Sequence, residues 1–167
     1  MARRLEAVEG VAGIELGLPP GAEPEVAGAL AAAAIGELPV IVRLPFDLAV
    51  NLAVNLAVDL AVNLAASVSN LPVSAFSLGP PGGSLRGPEG FLHGRMYGPA
   101  VFPMALATVE KLVRFGVPVI GAGGVYSQRD IEAMLAAGAV GVQLDAVLWR
   151  GTARAGLTSG SISLKGW

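Results

Sequence analysis

The sequence has no cysteine among its 167 residues. Disulfides, thiolate metal sites and cysteine nucleophiles are thereby excluded. A single histidine, His93, leaves too little for a histidine-built metal centre or a Ser-His-Asp triad. Charged residues make up 14% of the chain, the net charge is −2, and there is no basic run. Nucleic acid and anionic membrane surfaces therefore have no electrostatic counterpart here. Aromatic residues are only 5%, so a core must be built mainly from Ala, Val and Leu. The N-terminus Met-Ala-Arg-Arg has no apolar stretch behind its arginines, which argues against a signal peptide and for a cytoplasmic setting.

What is present is oily and regularly punctuated. The chain is 53% hydrophobic, and its 23 glycines and 12 prolines fall mostly between apolar runs, as turn residues should. The length suits one domain with a sizeable core. The most regular stretch, Asp47–Ala66, writes Asp/Asn-Leu-Ala-Val five times, with a last slip to Ala. A membrane span is disfavoured, because a polar residue recurs every fourth position and a central Asp costs roughly 2.5–3.5 kcal/mol to insert. Leu and Val also alternate at period two, but the stretch is far too long for an ordinary strand. Length and Leu/Ala content favour a helix. Its Asn and Asp positions would advance about 400° per repeat and drift slowly around the surface, leaving most of its girth apolar.

Strand-like and helix-like segments alternate along the rest. Val11–Gly21 reads as a strand ended by Pro-Pro-Gly, and a helix starts at Pro24 and stops near Gly36. Leu38–Pro45 is a β-branched run between prolines, and Leu71–Pro80 is another strand. Gly79–Pro99 reads as a long Gly/Pro-rich loop. Ala100–Gly116 reads as a helix closed by glycine. Val117–Val125 is a strand running into a glycine turn, Ser127 with Asp130 forms a capping-box pattern for the next helix, and Ala139–Val147 is the last strand. This alternation predicts an α/β fold of parallel βα units, either an open doubly wound sheet or part of a (β/α)₈ barrel. Residues 1–151 are expected to form one domain and 152–167 an irregular tail.

The segment "VPVIGAGGVYSQRDIEAMLAAGA" carries the strongest functional signal. Glycines between a strand and a helix let backbone N–H groups approach a phosphate, and the helix start favours negative charge. A tight turn with no ligand is the competing reading. At this point the chain resembles the flavin-dependent dihydroorotate dehydrogenases and their FMN-binding barrel relatives. "GIELGLPPG" resembles that family's Glu-Leu-Asn strand, and "LPVIVRLP" its Pro-Val-x-Val-Lys-Leu strand. "GRMYGPAVFPMAL" resembles its Gly-Gly-x-Ser-Gly-Pro-Ala motif, and the segment quoted above its phosphate-binding unit. The resemblance runs from Val11 to Trp149 and implies a partial TIM barrel, half to five-eighths of the whole. It implies FMN as cofactor, no metal, and cofactor contacts at Arg43, Gly98, Gly123 and Gly124.

The departures from the family are as informative. Gly17, Pro19, Pro20 and Gly21 stand where the family carries an Asn and a catalytic Ser or Cys, and no proton acceptor replaces them. No catalytic residue is therefore carried over. Arg43 replaces a flavin-contacting Lys, keeping the charge but not the shape. Tyr97 replaces the Ser of the glycine motif. Asp145-Ala146 replaces a phosphate-contacting Gly-Thr and brings a repulsive carboxylate. The resemblance thus implies possible FMN binding without independent redox activity, with a catalytically silent structural or assembly subunit as the alternative. Glu15 is expected to be a buried, hydrogen-bonded structural carboxylate, and His93 a solvent-exposed loop residue rather than a ligand contact. Asp130 suits the helix dipole, and Trp149 and Trp167 read as core or partner contacts. About five βα units cannot close an eight-stranded barrel, so an oily inner face and two free edges would meet water. A homo-oligomer, or a heteromeric protein partner completing the barrel, is the expectation.

Overall fold

The computed structural model describes residues 2–19, 21–45 and 54–150, with the backbone alone at 54–59 and 149–150. A short helix α1 (Ala2–Leu5) precedes strand β1 (Ile14–Gly17), helix α2 (Pro24–Ala34) and strand β2 (Val40–Leu44). Helix α3 (Val54–Val68) and strand β3 (Ala75–Leu78) follow. Strands β4 (Gly82–Gly87) and β5 (Gly90–Arg95) come before helix α4 (Phe102–Leu112), strand β6 (Val119–Ala122), helix α5 (Gln128–Ala136) and strand β7 (Gly141–Gln143). The order matches the βα alternation of the sequence. Three of these elements were not anticipated: α1, and strands β4 and β5, which fold as an antiparallel hairpin where a long loop was expected.

The main sheet decides between the two architectures left open by the sequence. Its order is β1-β2-β3-β6-β7, every pair is parallel, and each new strand is added on the same edge. A doubly wound sheet reverses direction at a switch point; none occurs here. The helices pack in series, α2 on α3, α3 on α4 and α4 on α5. One layer of helices on one face of a one-way sheet is a partial (β/α)₈ barrel.

Register explains how the two faces differ. Val42, Phe76 and Val119 lie in one row across β2, β3 and β6, pointing to the helices, and all are buried. Leu44 and Leu78 continue the same face. The opposite, inner face carries Gly17, Arg43, Ser77, Ile120 and Gly141 in one row, with Glu15, Ile41 and Ala75 in the row below. The expected oily inner face is therefore corrected to a mixed one. Glu15 and Arg43 keep 39% and 36% of their side chains exposed, so polar groups there stay in contact with water.

Local sequence accounts for the element ends. Pro24 opens α2 at its first position, where its missing N–H is no loss. The expected glycine stop of that helix is corrected: it ends on Ile35 in an extended conformation, one residue before Gly36. Gly116 does close the turn after α4, in the left-handed region at φ 73°. Gly28 in α2 faces α3, where an added Cβ would lie 3.6 Å from the Ser67 carbonyl oxygen. Small residues at Ala27, Ala31 and Ala34 extend this packing, and all three are buried.

The period-four repeat is helical over its described part, within α3; residues 47–53 lie outside the described residues. Ala61, Leu64, Ala65 and Val68 are buried at helical spacing, while Asn63 and Ala66 are exposed. This part is an ordinary amphipathic outer helix seated between α2 and α4. No helix among the described residues is long and apolar enough to cross a membrane.

Candidate functional site

A cleft opens at the carboxyl ends of β2, β3, β6 and β7, the end at which parallel barrels place their functional residues. It is shallow and open to solvent, with a cavity volume of about 110 Å³, below the roughly 300–1,000 Å³ of typical small-ligand sites. Arg43, Gly98, Gly123 and Gly124, from three separate segments, all line it. Tyr97, Asp145 and Ala146 line it too, so the positions where the sequence departs from the family motif also sit at the cleft. The hairpin stands on its rim, rooted by Pro80 and Pro81 on one side and Arg95 and Met96 on the other.

The glycine turn after β6 owes its composition to close packing. Gly123 and Gly124 have φ values of 105° and 69°, which side chains rarely adopt. A Cβ on Gly124 would overlap the backbone nitrogen of Phe102 and approach the Gly98 carbonyl oxygen to 2.9 Å. A Cβ on Gly123 would meet the Ala105 and Val101 side chains at 3.1 and 3.3 Å. The turn thus lies directly on the start of α4. The Gly-Pro-Ala segment (98–100) and the Gly123-Gly124 turn, far apart in sequence, form one packed unit.

The helix after that turn is capped by its own side chains. Ser127 Oγ accepts from the Asp130 N–H at 3.3 Å, and Asp130 Oδ2 accepts from the N–H groups of Tyr126 and Ser127 at 3.0 and 2.9 Å. The capping box read from the sequence is present. Its consequence is chemical as well as structural: two donors that a bound anion would use at this helix start are already engaged by a carboxylate. Ser127→Ala removes one acceptor and is expected to lower stability by about 1 kcal/mol, read from the midpoint of urea unfolding.

Arg43 lies across the inner face toward β1. Its Cγ would be 3.8 Å from a Cβ placed on Gly79, and its Nη2 only 2.8 Å from one placed on Gly17. Any side chain at Gly17 would displace the guanidinium. Among the described residues its ion-pair partner is Glu15, at 3.9 Å, beyond hydrogen-bond distance. Glu15 Oε1 instead accepts from Ser77 Oγ at 3.0 Å. The expectation for Glu15 is met in its hydrogen bond and corrected in its burial, because an open inner face leaves it in contact with solvent.

His93 sits on the exposed outer strand of the hairpin, its Nδ1 2.8 Å from Ser84 Oγ, and does not line the cleft. Arg95 lines both this cleft and a smaller one beside it, and the sequence reading did not single it out. A signal existed: Arg95 occupies the second glycine position of the motif that "GRMYGPA" resembles. Trp167 lies outside the described residues, as do the side chain of Trp149 and residues 151–167. Among the described residues no group of His, Asp and Glu is placed to hold a metal ion.

Known proteins agree with this geometry at two levels. The sequence pattern of the nitronate monooxygenase family matches residues 79–150, which hold the hairpin, α4, the glycine turn, α5 and β7. The crystal structure of DHODH from Eimeria tenella in complex with ferulenol superposes with a TM-score of 0.60 at 14% identity. That likeness covers 87% of this chain and 47% of the other, so the chain spans about half the length of that protein. No curated protein sequence matches the chain. In fold, the chain is a partial β/α barrel, similar to about half of that DHODH structure.

Proposed function

We propose that the chain is a ligand-binding relative of the flavin-dependent barrels, able to take an FMN-class molecule in the cleft and without redox turnover of its own. One observation carries the binding half: Arg43, Gly98, Gly123 and Gly124, picked out as cofactor contacts by sequence resemblance, converge on one cleft at the functional end of the sheet. The silent half rests on the start of the β1–α2 connection, where Gly17, Leu18, Pro19 and Gly21 offer no side chain that can accept a proton, while Glu23 at its far end is exposed and does not line the cleft. The fit to FMN is incomplete at the phosphate end. The Asp130 carboxylate engages the helix-start donors, and Asp145 adds a second negative charge on the same side of the cleft. The test is the visible spectrum of purified protein, before and after mixing with FMN and gel filtration. Retained flavin absorbance, with no oxidation of added dihydroorotate, is the expected result. A colourless protein that retains no FMN would overturn the binding half, and turnover by the chain alone would overturn the silent half.

The alternative role, an assembly subunit, is favoured by a different observation. The outer edges of β1 and β7 have no strand partner among the described residues, and on the inner face Glu15, Ile41 and Arg43 stay partly exposed. Open edges are templates for association. A second copy of the chain, or another protein, placed against these edges would cover the inner row. Sedimentation at micromolar concentration tests this: a folded monomer with no partner would sink it.

A further inference from the structure

The two ends of the cleft carry opposite charge. At the β6–β7 end Asp145 lines the wall, and the Asp130 carboxylate holds the first donors of α5. At the β2–β3 end Arg43 and Arg95 line the main cleft and the smaller one next to it. Among the described residues Arg43 has no carboxylate within hydrogen-bond distance: its ion pair with Glu15 is a long one, at 3.9 Å, and Glu15 Oε1 already accepts from Ser77. Arg95 makes no ion pair among the described residues. Two guanidiniums on one cavity repel each other unless an anion lies between them. Each presents a planar fork of N–H donors matched to two oxygens of a carboxylate or phosphate.

We propose that the cleft holds the anionic group of its ligand between Arg43 and Arg95, at the end opposite the glycine turn. The chemical class is a small oxyanion, a carboxylate or a phosphate monoester. Polarity in this cleft is thus the reverse of that implied by the family resemblance, which puts the phosphate at the glycine turn. The inference rests on the reading of the cleft as a ligand site, and not on the ligand being a flavin. Glu15 acts as a competitor: it draws the Arg43 head toward β1, and an arriving oxyanion replaces it as the nearest negative charge.

The test titrates the full chain with inorganic phosphate by calorimetry at low ionic strength, where such contacts are least screened. Arg43→Ala and Arg95→Ala are each expected to weaken phosphate binding about tenfold. Glu15→Gln is expected to strengthen it about twofold, and Asp145→Asn to change it by less than about threefold. Arg95 is exposed at the hairpin root, so its variant tests the site without endangering the fold; circular dichroism melts control for Arg43→Ala. Phosphate binding that ignores both arginines but rises about tenfold in Asp145→Asn would place the anion at the glycine turn and overturn the proposal. Failure to bind phosphate would overturn it as well. A parallel titration with FMN and riboflavin separates the two readings. FMN uptake indifferent to both arginines keeps the flavin site and removes this one, whereas arginine-dependent phosphate binding without flavin uptake does the reverse.

Discussion

Replacing Phe76 by alanine is expected to destabilise the protein by about 3–5 kcal/mol, a large share of the 5–15 kcal/mol that holds a typical domain together. Phe76 is on the central strand of the five, fully buried, with Val42 beside it on β2 and Val119 on β6. With only 5% aromatic residues in the chain, no other ring is available to fill that row. The surrounding side chains are Val, Leu and Ala, which are too short to collapse into the space a lost phenyl leaves. Thermal unfolding should shift down by roughly 6–20 °C at this chain length. Phe76→Leu, which keeps most of the volume, should cost about 1 kcal/mol and shows that the site tolerates an aliphatic residue. The inner-face residue Ile41 supplies the comparison. It is half-buried and opens to the cavity side of the sheet, so Ile41→Ala should cost about 1–2 kcal/mol, less than the 2–5 kcal/mol of a fully buried isoleucine. A penalty for Ile41→Ala as large as that for Phe76→Ala would mean that the inner face is covered in solution, and would support the assembly role.

The contrast between those two residues also shows what the sequence could and could not tell. β2 is a run of β-branched residues between prolines, and such a run reads as a strand whatever covers it. Which face stays open is decided by register: Arg43 aligns with Gly17 and Ser77, and only then does a mixed inner surface emerge from strands that look uniformly oily. Caps were legible because their signals are local, as at Pro24, Ser127 with Asp130, and Gly116. The hairpin was hidden because its strands are rich in glycine, a poor strand former. Its glycines face each other across the ladder, Gly83 opposite Gly94 and Gly87 opposite Gly90, so only the three pairs Ser84–His93, Leu85–Leu92 and Arg86–Phe91 bring side chains together beside the tight return at Pro88-Glu89. The cofactor motif was legible as a list of residues. Its electrostatics were not, because Arg95, Arg43 and Asp145 are brought to one cavity only by the fold.

Gly124→Ala is the second large effect, expected at about 2–5 kcal/mol. Two separate causes contribute. At φ 69° an alanine Cβ sits in the left-handed region, which costs roughly 1–2 kcal/mol. The same Cβ would overlap Phe102 N and press on the Gly98 carbonyl oxygen at 2.9 Å, and both are backbone atoms that no rotamer change can move aside. The turn must therefore lift from the start of α4, separating two of the segments that line the cleft. Loss of stability and loss of ligand uptake should appear together in this variant. Gly94→Ala is the matching control, because nothing lies within 4 Å of its added Cβ. Urea unfolding of the two variants, followed by FMN and phosphate titration under conditions where both remain folded, separates the packing role of the turn from any ligand role. If Gly124→Ala unfolds like the parent chain yet loses FMN, the turn is a ligand cradle first. If it is destabilised while phosphate affinity at the arginine end is unchanged, the glycines belong to the fold, and the reversed polarity of the cleft stands independently of them.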